Sequence, residues 1–175
     1  MRPTNECVIS TARLKKQAAL LANDPIFVLI DMGVEEKNMQ LMQTLDDAWN
    51  SQDWDTFEQR HAENCLVFWP GQPEPTKGVK NHRQESAQFF KSFPDNHVSN
   101  RPYKIFFANG DFTCSVADFT GTFKGELKMG DKTMPPTGKS FKVEFCTVAE
   151  WKDGKITEER LFYDLVGFMK QIGIM

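Results

Sequence analysis

The sequence predicts an α+β domain in which helices cover one face of a curved, mostly antiparallel sheet. Three observations lead there. Apolar residues recur at helical spacing between about Glu35 and Ser92, β-prone runs fill most of the chain after Asn96, and tight turn signals separate those runs. Helices first and antiparallel strands afterwards is the order of an α+β fold, not of alternating βα units.

The elements follow in order. Thr11 to Ala22 has the alanines and lysines of a short helix with a thin apolar face, Asn23-Asp24-Pro25 breaks it, and Ile26 to Ile30 is a brief apolar run. Residues 1–34 are therefore expected to be an extension and residues 35–175 the domain proper. From Glu35 onward Met39, Met42, Leu45, Ala48 and Trp49 mark the buried face of a helix. Asp53 has the type and place of an N-cap for a second, short helix carrying Trp54, Phe57 and His61, with His61 read as a packing or capping residue. Leu66 to Trp69 is a β-prone run, and PGQPEPTKG after it demands a surface loop. A third helix spans about Val79 to Ser92, with Val79, His82, Arg83, Ser86, Phe89 and Phe90 on one face. Strands follow at Val98 to Phe107 and Phe112 to Phe123, with turns at Asn109-Gly110-Asp111 and near Gly130.

The last hairpin carries most of the functional signal. Asp153-Gly154 lies between two β-prone runs, and a type I′ turn needs two residues that tolerate positive φ. Counting outward pairs Trp151 with Ile156, Ala149 with Glu158, Thr147 with Arg160, Phe145 with Phe162 and Val143 with Asp164. All ten then share one face, one strand supplying an apolar floor and the other two acids and a base. An unpaired buried charge costs several kcal/mol, so this mixture suits a lined cavity, or else an ion pair at the sheet end beside an ordinary core.

Composition narrows the function. With 40% hydrophobic and 26% charged residues among 175, the chain has the makeup of an ordinary soluble domain, and a net charge of −3 with no basic cluster argues against nucleic acid. Cys7, Cys65, Cys114 and Cys146 form no CxxC pair, and His61, His82 and His97 form no HxxxH or HExxH spacing, so no metal is expected. The first residues lack the continuous apolar segment of a secretion signal and no run is long enough to span a bilayer, which sets the cytoplasm as the expected compartment, without membrane association.

Five phrases, DDAWNSQDWDTFEQRHAENCLVF, FTGTFKGEL, MPPTGKSFKVEF, WKDGKITEERLFYD and VGFMKQIG, together resemble the SnoaL-like polyketide cyclase family of the nuclear transport factor 2-like superfamily, over about Glu35 to Ile174. The resemblance implies a cone-shaped α+β barrel with a pocket between helices and concave sheet, commonly a homodimer through the convex face, which in this hairpin would carry Glu144, Cys146, Val148, Leu161 and Tyr163. It also implies a pocket carboxylate acting as general acid/base in ring closure of a polyketide ester, without metal, cofactor or covalent intermediate. The matching acids are Glu158 and Asp164, with Arg160 between them as an enolate-stabilising group or as the ion-pair partner of either acid. Trp69, Phe145, Thr147 and Phe162 would line the site, and Asp118 would join if its face is inward. Phe123 replaces a His common in relatives, Arg160 a Trp, and Trp69 a His. A small hydrophobic carbonyl compound is the expected ligand, and the expected activity is that of an ester cyclase, isomerase or dehydratase. The alternative is a non-catalytic ligand-binding or dimerisation module of the same fold.

Overall fold

The computed structural model describes residues 33–130 and 132–175, and the helix and apolar run expected before Gly33 lie outside them. The domain runs from Val34 to Met175. Helix α1 (Val34–Ser51) buries Met42, Leu45, Ala48 and Trp49 along one stripe, together with the polar Asn38 and Asp46. Asp53 caps α2 (Trp54–Gln59) by accepting from the Thr56 amide at 3.1 Å. His61 is not on α2. It opens β1 (His61–Phe68), which pairs with the two-residue β2 (Thr76–Lys77), and α3 (Val79–Ser92) follows.

The strand expected from Val98 to Phe107 is two pieces, β3 (His97–Val98) and β4 (Ile105–Asn109), both paired with the long β5 (Phe112–Thr122). A small hairpin of β6 (Leu127–Met129) and β7 (Lys132–Met134) leads to β8 (Ser140–Lys152) and β9 (Lys155–Phe162). The main sheet has the order β2-β1-β9-β8-β5-β3, antiparallel throughout except for β1 beside β9. Its final helix, α4 (Leu165–Ile172), sends Phe168 and Ile172 into the core and ends on Gly173 at φ 77°.

Helices and sheet meet over an aromatic core. Trp49, Phe57, Phe90, Phe93, Phe119, Phe123, Phe141, Trp151 and Phe168 are all buried, so Phe123 is a packing residue stacked on Phe93. The two buried tryptophans satisfy their N–H groups: Trp49 donates to Asn96 Oδ1 at 2.7 Å and Trp151 to Thr113 Oγ1 at 2.9 Å. Among the described residues no helix is long and apolar enough to cross a membrane.

Candidate active site in the sheet concavity

The hairpin turns where the sequence says, with Asp153 at φ 52° and Gly154 at φ 75°. The register beyond it differs. Trp151 pairs with Ile156, but Glu150 then pairs with Glu158, so Thr157 is an extra residue on β9. Its hydroxyl folds back onto the Glu150 carbonyl at 3.3 Å. A one-residue bulge reverses every later side chain. Ala149 now faces Glu159, Val148 faces Arg160, Thr147 faces Leu161 and Cys146 faces Phe162.

This corrects the expected site. Glu158, Arg160 and Phe162 stand on the outer face, where Arg160 donates to Glu158 at 2.8 Å and lies 4.1 Å over the Phe68 ring, and Phe162 is about half exposed. Leu161 points into the core, not to the convex face, and Tyr163 is largely covered against Phe145 and Phe168. Asp164 is the exposed N-cap of α4, accepting from the Gly167 amide at 2.8 Å. Asp118 is also outward, held between Lys104 and Lys142 at 2.5 and 2.8 Å, and Lys104 ahead of Lys142 keeps its carboxyl below the usual range. Trp69, Phe145 and Thr147 do stand at an inner cavity.

That cavity lies between α1, α3 and the concave sheet, walled by Leu45, Trp49, Phe57, Val98, Phe119 and Leu161 as well as those three residues. It offers about 30 Å³ to the centre of a water molecule, room for roughly two waters. Beyond the Trp69 and Leu161 walls a more open groove of about 200 Å³ runs past Phe68, Pro70 and Tyr163. Three polar side chains with titratable groups reach the cavity: Asp46, His82 and Glu159.

Asp46 comes from α1 and accepts from the Tyr103 hydroxyl at 2.7 Å. Burial pushes its carboxyl up to about 7; the Tyr103 hydrogen bond pulls the other way, while the negative charges of Glu159 and Asp47 push up again. Glu159 is equally enclosed but shifts the opposite way. Burial opposes its charge, yet His61 and His82 outweigh that and keep it ionised, well below the usual carboxylate range. Burial also lowers the His82 pKa. The Trp69 Nε1–H and His82 Nδ1 are buried without a hydrogen-bond partner in the protein. Both residues line the cavity, and each of these atoms has hydrogen-bonding capacity to spare.

Asp46 and Glu159 both left traces in the sequence. Asp46 is four residues after Met42 and three before Trp49, an acid inside the apolar stripe of α1. Ile156 and Leu161 are five positions apart, and strict alternation cannot turn both inward. Burying both requires an odd residue between them, which brings Glu159 in and sends Glu158 out.

The profile of the SnoaL-like polyketide cyclases matches residues 39–172, and the chain belongs to that family. No curated protein is significantly similar to it. Among solved structures, a candidate SnoaL-like polyketide cyclase from Jannaschia sp. CCS1 superposes with a TM-score of 0.72 at 24% identity, covering 82% of this chain and 96% of that one. A candidate polyketide cyclase from Xanthomonas campestris gives 0.70 at 17% identity, covering 81% and 100%. IdmH, a candidate polyketide cyclase from Streptomyces antibioticus, gives 0.64 at 22% identity, covering 78% and 98%. At these identities the likeness establishes the shared fold.

Proposed function

We propose that this protein is an acid/base enzyme acting on a small hydrophobic carbonyl compound, with Asp46 as the group that moves the proton. The observation that carries this reading is a carboxyl group buried at the wall of an aromatic cavity, oriented by Tyr103 and poised near neutrality. An acid with a pKa near the working pH is present in both forms. Ionised, Asp46 takes a proton from the carbon next to a carbonyl; protonated, it returns one to the oxygen after the new bond has formed. The free Trp69 N–H is suited to donate to the developing enolate oxygen, and the apolar walls strengthen that interaction by excluding water. Substrate would enter from the outer groove past Trp69 and widen the cavity, since two waters' room does not hold a ring.

The test is exchange of α-carbon hydrogens in heavy water, followed by NMR over a panel of aromatic β-keto esters. The wild type should accelerate exchange, and Asp46→Asn should reduce that acceleration by about 10²- to 10⁴-fold. An Asp46→Asn protein with wild-type exchange rates would refute the assignment.

We also propose a second copy of this chain as its partner through the convex sheet face. Ile105, Phe107, Phe112 and Phe162 are each about half exposed there, and Cys114, Val116, Cys146 and Val148 lie beside them in register. Large apolar side chains grouped on one face mark an interface more often than a solvated surface.

A further inference from the structure

We propose that His61, His82 and Glu159 bind one divalent transition-metal cation, Zn²⁺ or a first-row neighbour, with its open coordination position toward the cavity. The site goes beyond the acid/base reading and does not depend on it. No sequence spacing announces it, because the three residues come from the start of β1, the first turn of α3 and the middle of β9. The fold brings their ligating atoms within 4.8 Å of one another, and all three side chains are essentially sealed from solvent.

Two geometric facts favour a cation over a plain hydrogen-bonded cluster. His61 Nε2 and His82 Nε2 each stand 3.4 Å from the same Glu159 oxygen, Oε2. Charge-assisted N–H···O bonds are usually about 2.7–2.9 Å. For metal–ligand bonds of about 2.0–2.2 Å, by contrast, the edge of a coordination tetrahedron is roughly 3.4 Å. The second fact is the His61 tautomer. Its Nδ1 is 2.8 Å from the Phe57 carbonyl oxygen, which can only accept, so Nδ1 carries a hydrogen. In its neutral form the ring turns its Nε2 lone pair toward Glu159 Oε2, the form in which it can share a cation with that oxygen. Donation of the far ring N–H to a backbone carbonyl is also the usual way a ligating histidine is oriented.

Two imidazoles and one carboxylate make a donor set suited to Zn²⁺, Co²⁺ or Fe²⁺ more than to Mg²⁺ or Ca²⁺. His82 and Glu159 border the cavity, so one or two waters, or a substrate oxygen, would complete the coordination. A cation there would polarise a bound carbonyl from the wall that Glu159 occupies.

The experiment uses the full chain, stripped with chelator and titrated with Co²⁺ while visible d–d absorption is recorded, then back-titrated with Zn²⁺. The expected result is uptake of one Co²⁺ per chain, displaced by Zn²⁺, with a melting temperature that rises with Zn²⁺ concentration. Glu159→Gln and His82→Ala should each weaken uptake by more than about 100-fold. His97→Ala, at an exposed histidine, should leave it unchanged, and Asp46→Asn should alter it far less than either ligand substitution, which separates this site from the proton-moving role of Asp46. Absence of saturable one-equivalent uptake by the folded wild type overturns the proposal, whether or not the variants fold. So does uptake unaffected by both ligand substitutions.

Discussion

Asp46→Asn should raise the stability of this protein at alkaline pH, and the size of the effect follows from burial. The residue is only 8% exposed, and its carboxyl is pushed from an ordinary 3.8 to about 7, chiefly by loss of water. Between those pH values the folded chain holds a proton that the unfolded chain has released, so this group's contribution to stability falls as pH rises. At about 1.4 kcal/mol per pH unit, the interval amounts to about 4 kcal/mol by pH 8. Asparagine keeps the shape and an acceptor for Tyr103 but has no proton to lose. Wild type and Asp46→Asn should therefore match near pH 4 and diverge steadily, until the variant melts on the order of 10 °C higher at pH 8. Urea unfolding at fixed pH, in chelator so that no bound cation contributes, measures the difference directly. A gap that stays within about 0.5 kcal/mol from pH 5 to 8 would refute the reasoning, as would a more stable wild type at pH 8. On the proposed function the same variant should also lose exchange activity, because the buried acid that costs stability is the one proposed to move the proton.

Three further outcomes are expected. Glu158→Gln should leave exchange activity intact and change stability by less than about 1 kcal/mol in urea unfolding, because its bond to Arg160 lies on the outer face. Asp164→Ala should cost about 1 kcal/mol as a lost helix cap while preserving activity per folded molecule, measured by unfolding and exchange on the same sample. Phe107→Glu should convert the proposed dimer to a monomer in light scattering after gel filtration, since a charge would be buried unpaired in the proposed convex-face contact; an unchanged mass would exclude that face.

Local chemistry made much of this protein legible in advance. The stripe through Met42, Leu45 and Trp49, the Asp53 cap and the Asp153-Gly154 turn depend on residues a few positions apart, and the chain alone determined them. The family resemblance, from about Glu35 to Ile174, likewise led to the right fold. What the tertiary structure decided was which residues β9 turns inward. A bulge at Thr157 costs one ladder pairing but lets Ile156 and Leu161 both reach the core, and this exchange of Glu158 for Glu159 depends on what the opposing helices offer to be covered. The meeting of His61, His82 and Glu159, and the drying of Asp46 between α1 and Tyr103, have the same origin: burial and cross-strand contact belong to the packed chain, and no local spacing encodes them.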